Sequence, residues 1–183
     1  VTVTEGPAQV PFEQAVLPHL NAAYNLARWL TRNPHDAEDV VQEAYLRAVR
    51  YYGGFSGGDG KAWLLSIVRH TCFTWLRKNR PAELAPLDDE AAAEAEVDAD
   101  PADPESLAVA ARDRALLNRL IQALPPEFRE VIVLRELEDL SYREIAAITA
   151  VPVGTVMSRL ARARTRLRRA WLAERAGEGH HAA

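Results

Sequence analysis

Between Pro81 and Glu105 the sequence holds ten acidic residues, Glu83, Asp88, Asp89, Glu90, Glu94, Glu96, Asp98, Asp100, Asp103 and Glu105, and neither lysine nor arginine. The same stretch, PAELAPLDDEAAAEAEVDADPADPES, has four prolines and no aromatic residue. A segment of this kind has too little apolar surface to offset the entropy of ordering it. It therefore divides the chain: residues 81–104 are expected to act as a flexible acidic linker, with Asp89 to Val97 at most a transient solvated helix. The 183 residues suffice for two small units, one on either side of it.

The same stretch corrects the meaning of the net charge. The chain carries a formal charge of −4, from 22 basic and 26 acidic residues. Setting aside the ten acids of the linker leaves 16 acids against 22 bases. Fields at a protein surface act within about one Debye length, so two basic-leaning ends remain able to meet nucleic acid.

The only cysteine is Cys72, which excludes an intramolecular disulfide and a cysteine-built zinc site. His70 and Cys72 are too few for a metal centre, and no cofactor is expected. The opening residues VTVTEGPAQV show no basic leader before an apolar run. Nor does any stretch reach the roughly 18 apolar residues of a membrane span. A soluble, cytoplasmic protein without membrane insertion is expected.

Hydrophobic residues recur with helical rather than alternating spacing, which predicts an all-α fold. Helices are expected near Phe12 to Thr31, Asp36 to Tyr52 and Lys61 to Asn79, then near Glu105 to Ala123, Pro126 to Glu138, Tyr142 to Thr149 and Val153 to Ala173. Asn33-Pro34, the glycines from Gly53 to Gly60, and Pro125-Pro126 supply breaks. Ser141 with Glu144 three residues on reads as a capping box, and Asp36 as an N-cap. The expected units are a helical bundle over residues 10–80 and a helix-turn-helix domain over 105–173, with 174–183 a disordered tail.

In GTVMSRLARARTRLRR, Gly154 to Arg169, arginine returns at uneven intervals. At about 100° per residue, Val153, Val156 and Leu167 fall within about 40° of Leu160 and form a packing stripe. Thr155, Ser158, Arg159, Arg162, Arg166 and Arg169 lie opposite, so the uneven spacing is helical spacing. Upstream, LSYREIAAITAVPVGTV reads as a helix and a short turn at Ala150 to Pro152. That is the order of a helix-turn-helix, whose second helix reads base edges from its N-terminal end. Thr155, Ser158, Arg159 and Arg162 are placed for bases, and Arg166 and Arg169 for phosphates.

The front half offers a second patterned helix, KAWLLSIVRHTCFTWLRKNR. Ile67, Val68, Thr71 and Trp75 cluster within about 60° of Leu64, while Trp63, Ser66, Arg69, His70, Phe73 and Arg77 share the other half of the wheel. Rings interleaved with cations suit unpaired bases, which stack while the arginines follow the backbone. Packing of Trp63 and Phe73 against a neighbouring helix is an equal alternative for each ring. In DAEDVVQEAYLRAVRYY, Val41, Ala44, Tyr45, Ala48 and Tyr52 form the buried stripe, while Asp39, Gln42, Glu43, Leu46 and Arg50 share the other face. A leucine framed by Asp39, Gln42 and Glu43 suits docking to a protein rather than to DNA. An ordinary amphipathic helix would also carry these acids.

Three stretches in order around a loose linker, DAEDVVQEAYLRAVR, FSGGDGKAWLLSIVRHTCFTWLRKNR and LPPEFREVIVLRELEDLSYREIAAITAVPVGTVMSRLARARTRLRRAW, resemble the extracytoplasmic-function group of bacterial sigma factors, within the sigma-seventy family. The resemblance covers nearly all of the chain outside the linker and tails. It implies a subunit that binds core RNA polymerase, reads the minus-thirty-five promoter element as duplex and captures the minus-ten element as its strands part. It implies that Asp39, Gln42, Glu43 and Leu46 dock on the clamp helices of the largest polymerase subunit, and that the flap of the second-largest subunit is a further contact of the chain. Phe55 and the glycine-rich loop to Gly60, with His70 and Arg77 behind it, would hold the flipped non-template base of the minus-ten element, and Trp63, Arg69 and Phe73, read above from the helical wheel, would join them on the unpaired strand. The acidic linker would run into the RNA exit path, and an anti-sigma factor is a usual partner. The family commonly has asparagine at His70, an acid at Thr74 and a basic residue at Met157; these departures bear on base preference.

A stand-alone helix-turn-helix regulator shares the rear-half features but would bind duplex without polymerase. An enzyme is disfavoured: there is no G-x-S-x-G, no H-E-x-x-H, and no phosphate-cradling loop, since Gly53-Gly54-Phe55-Ser56-Gly57-Gly58 lacks a preceding strand and a following lysine.

Overall fold

The computed structural model describes residues 10–84 and 104–179. Among these the chain is all-α, with no strand. The helices are α1 (Phe12–Val16), α2 (Leu20–Thr31), α3 (Pro34–Tyr51), α4 (Gly60–Asn79), α5 (Pro104–Ala123), α6 (Pro126–Ile132), α7 (Tyr142–Thr149) and α8 (Val153–Gly179). Helices α2, α3 and α4 pack on one another to form the front half, and α6, α7 and α8, with α5 against α8, form the rear half. Most of the expected linker, residues 85–103, lies outside the described residues, as do residues 180–183. Pro81–Leu84, at its start, is a 3-10 turn whose Glu83 side chain is engaged by Arg32 and Arg80.

Local chemistry moves several expected boundaries. The first helix is broken at Leu17–His19 by a 3-10 turn containing Pro18, whose missing N–H and ring cannot continue an α-helix. The N-cap of α3 is Asn33, not Asp36: its Oδ1 accepts from the His35 and Asp36 amides at 2.8 and 3.3 Å, and Pro34 occupies the first turn, where a missing N–H costs nothing. Gly57 and Gly58 have φ of 87° and 103°, which a side chain would resist, and they turn the chain to Asp59, the N-cap of α4. The helix expected to Glu138 gives way after Ile132 to a wider π turn over Val133–Leu137, and Asp139 at φ 51° ends it. At the far end α8 does not stop at Ala173. It runs to Gly179 in a stretch rich in alanine, glutamate and arginine, tied to α5 by Arg175 to Asp113 at 2.5 Å and Arg119 to Glu174 at 3.5 Å.

The two halves are packed together. Helix α4 lies against α7, and α2 against α6. One continuous apolar core runs from Val16, Leu26 and Leu30 through Leu65, Val68 and Cys72 to Val131, Ile145, Val156 and Leu160. This accounts for α4, on which Leu65, Cys72 and Leu76 are buried beside the expected Leu64, Val68 and Thr71. Both sides of the helix face protein.

Candidate nucleic-acid interface

The helix-turn-helix forms as its local sequence dictates. Ser141 closes both bonds of the capping box: its amide donates to Glu144 Oε2 at 2.7 Å, and its Oγ accepts from the Glu144 amide at 3.3 Å. Hydrogen bonding to the carboxyl from the Ser141 side chain, and then from the Ser141 amide, holds Glu144 below the usual carboxylate range. Helix α7 ends on Ala150 in the left-handed region, φ 55°, and Pro152 accepts the first bonds of α8 from Thr155 and Val156. The two helices meet at a bend of 101°, within the range of DNA-reading pairs.

Along α8 the buried stripe is Val156, Leu160 and Ala163. Val153, expected on that stripe, is exposed at the first position of the helix. Ser158, Arg162 and Arg169 lie on the exposed surface, and Thr155, Arg159 and Arg166 are half-buried. Arg166 sits over the Phe128 ring, its guanidinium carbon 5.0 Å from the centroid. Met157 is exposed one residue before Ser158.

The expected single-strand surface on α4 is only partly open. His70 and Arg77 are exposed, and the Arg77 Nη2 donates to Thr74 Oγ1 at 3.3 Å. Phe73 is half-buried under Arg69, whose guanidinium carbon lies 4.5 Å from the ring centroid. Phe55, expected to meet a base, is instead 7% exposed: its ring stacks on Tyr52 at 5.5 Å and tilts against Trp63 at 5.0 Å, in a cluster that continues to Phe12 and Tyr45. Burying these large rings against each other is worth more than leaving them in water. Trp63 is half-buried in the same cluster.

Asp39, Gln42, Glu43 and Leu46 are all exposed on α3. Leu46 is 59% exposed, and Val49, three residues on, is 51% exposed. The helical spacing of Val49 from Leu46 was available as a signal that this apolar patch is larger than one residue.

Between the halves lie two adjacent charged residues of α6 that sequence reading passed over. Glu130 is fully buried, accepts from Arg69 Nε at 2.6 Å and Nη2 at 3.1 Å, and accepts from Arg159 Nη1 at 3.4 Å. Burial pushes its carboxyl above the usual range, while the Arg69 hydrogen bonds and the charges of Arg69 and Arg159 pull the other way. Arg129 donates to the carbonyl oxygens of Trp29 and Leu30 at the end of α2, and to that of Leu124. Burial, followed by the neighbouring Arg32, lowers its pKa to about 10. No group of three or more metal-ligating side chains occurs among the described residues, and none of their helices alone is long and apolar enough to cross a membrane.

Two family models match the chain: Sigma-70 region 2 over residues 15–82, and Sigma-70, region 4, over residues 114–167. The chain is 34% identical over 161 residues to the ECF RNA polymerase sigma factor SigE of Mycolicibacterium smegmatis, covering 88% of this chain and 62% of that one. It is 41% identical over 138 residues to the ECF RNA polymerase sigma-E factor of Escherichia coli, covering 70% of each. Among solved structures it is similar to the sigma factor RpoE of Bartonella quintana in complex with the anti-sigma factor NepR, with a TM-score of 0.64 and 28% identity over 87% of this chain and 95% of that one. It is similar as well to CnrH in complex with the cytosolic domain of CnrY, with a TM-score of 0.57 and 26% identity over 88% of each. With a right-angled helix pair where region 4 matches and a three-helix bundle where region 2 matches, the chain belongs to the extracytoplasmic-function group of the sigma-70 family.

Proposed function

We propose that the chain is a promoter-specificity subunit, which joins core RNA polymerase and directs it to start sites without itself supplying a reacting group. Helix α8 reads the upstream promoter element as duplex, with Thr155, Ser158, Arg159 and Arg162 toward base edges and Arg166 and Arg169 toward phosphates. The exposed α3 patch, Asp39, Gln42, Glu43 and Leu46, docks on the clamp helices of the largest subunit, and the rear half meets the flap of the second-largest. The α4 surface of Arg69, His70, Phe73 and Arg77, with Phe55 and Trp63 behind it, holds the minus-ten strand once unpaired. The acidic linker follows the RNA exit path. An anti-sigma protein is a natural partner, since two similar chains were solved with proteins that bind them, NepR and CnrY.

The observation that carries this reading is the 101° pair of α7 and α8, with its hydroxyls and guanidinium groups at the start of the second helix. A regulator acting alone would share that pair but would have no use for the α3 patch. Run-off transcription with purified core polymerase tests it: the chain yields transcripts from defined start sites that core alone does not make. Arg162→Ala lowers that yield by the loss of one base contact, about 1–3 kcal/mol. Absence of any promoter-directed transcript, with tight duplex binding by the chain alone, would favour the regulator instead.

A further inference from the structure

We propose that Met157 is a specificity-determining residue: from the leading turns of α8 its side chain packs against the C5-methyl group of a thymine in the major groove of the upstream element. The inference rests on the duplex-reading role proposed above for α8, and deepens it by naming one base that the helix prefers.

The face that α8 turns to solvent is rotated from the one its helical pattern alone suggests. Counted from Leu160 at about 100° per residue, Thr155, Arg159 and Arg166 lie between about 220° and 260°. All three are half-buried. Arg159 leans to Glu130 at 3.4 Å, and the Arg166 guanidinium carbon lies 5.0 Å from the centroid of the Phe128 ring. Gly154, Met157, Ser158, Ala161 and Arg162, between about 60° and 200° on the same count, are exposed. The exposed strip is therefore centred between Ala161 and Ser158, which brings Met157 into it. Arg168, exposed about 20° from Met157 and further along the helix, puts a cation for a phosphate on that same side.

The chemistry of the strip selects one base feature. Met157 is 52% exposed. A lone apolar residue in water is common on protein surfaces, but this one stands on the end of the helix that reads bases. Its thioether has no donor and only a weak acceptor, so it cannot match a hydrogen-bonding edge; its unbranched chain adapts instead to an apolar surface. Among the groups that the bases present in the major groove, the thymine C5-methyl is the apolar one. Ala161, one turn on, adds a small apolar neighbour that does not hold the helix away from the groove. Gly154, three residues before Met157, leaves bare backbone at the leading turn. A Cβ there would meet nothing of the protein within 4 Å, so the space it leaves serves close approach from outside.

The test compares thymine with uracil, which lacks only the C5-methyl and pairs in the same way. The full chain, alone and with core polymerase, first selects duplexes from a random pool. The enriched element is then remade with uracil at one thymine at a time. The native chain is expected to lose about fourfold in affinity at the thymine that Met157 meets, the value of one methyl-sized apolar contact. Met157→Ala, whose fold circular dichroism checks, is expected to bind the thymine duplex about fourfold more weakly and to bind the uracil duplex equally well. A methionine with a purely structural role would weaken both duplexes and leave their ratio at the native value. Native affinity that ignores uracil at every thymine, a Met157→Ala ratio equal to the native one, or a selection that enriches no thymine-containing element overturns the inference. Run-off transcription decides the sigma role separately. A chain that directs transcripts but ignores every thymine methyl keeps that role and loses this inference, whereas one that directs none but discriminates thymine from uracil through Met157 keeps the methyl reading as a duplex-binding protein.

Discussion

Arg129, on α6, donates from its Nη1 to the carbonyl oxygen of Leu30 at 3.1 Å, so a side chain of the rear half finishes the last turn of a helix in the front half. Arg32, in the left-handed region at φ 60°, ends α2 and leaves its final carbonyls in need of donors. Arg129→Met removes the donors from Trp29, Leu30 and Leu124 at once. Loss of about 3–5 kcal/mol in urea unfolding is expected, the range for breaking a buried charged contact from one side. Arg164→Met, whose 2.7 Å pair with Glu136 is half in solvent, should lose under about 1 kcal/mol. Equal losses would mean that Arg129 does not join the halves.

Gly60 begins α4 where that helix passes close to α1. A Cβ there would fall inside the Ala15 carbonyl oxygen, which is backbone and cannot rotate away. Gly60→Ala is expected to cost about 1–3 kcal/mol despite alanine's better helix propensity. Thermal unfolding reads it, with Gly54→Ala as the control, since a Cβ at Gly54 meets nothing within 4 Å.

Cys72 is fully buried on α4, and its thiol pKa is pushed well above the ordinary value by burial, with the Glu130 charge adding to it. Only the thiolate attacks, so the native chain should be inert to a disulfide reagent at neutral pH. Reaction through global opening alone would be slowed by about a thousandfold or more. Labelling across a urea series should rise with the loss of helicity; fast labelling of the folded chain would contradict this packing.

What could be read from residue order was whatever is local. Ser141 and Glu144 announced their cap, and the heptad-like return of Val156, Leu160 and Leu167 placed α8. Leu46 stood out because its neighbours are acids and an amide. What could not be read depended on the other half of the chain. Phe55 looked available beside its glycines, but Tyr52 and Trp63 close over it. Arg129 and Glu130, adjacent and oppositely charged, resemble any solvated helix turn, and only the approach of α2 and α4 takes them out of water. Pro18 and Asn33 were legible in principle, since one breaks a helix and the other precedes proline at a helix start.

The capping box carries a pH signature. Glu144 has a folded-state pKa below its unfolded value, so the unfolded chain binds more protons as pH falls through that interval. Its stabilisation is therefore present above the ordinary carboxylate pKa and fades as pH drops through the lowered one. Ser141→Ala should cost about 1 kcal/mol at neutral pH. The difference between the native chain and Glu144→Gln should shrink as the pH is lowered below about 4. A difference that stays constant across that range would show that the Glu144 charge contributes nothing to the cap.

Leu46 and Val49 stand three residues apart on α3, both more than half exposed, with Asp39, Gln42 and Glu43 around Leu46. Exposure that large earns no folding energy, so Leu46→Asp and Val49→Asp should each leave stability within about 0.5 kcal/mol. If the patch docks on polymerase, a buried aspartate at its centre should cost about 2 kcal/mol or more of binding, roughly a thirtyfold loss of affinity. Leu46 is closer to the acids than Val49 in the helical order, so its substitution should cost more. Fluorescence anisotropy with labelled core polymerase measures both variants beside Leu172→Asp, an exposed leucine near the end of α8 and outside the patch. Equal binding by all four chains would remove α3 from the interface, whereas a loss confined to the two α3 variants would assign the docking to that face.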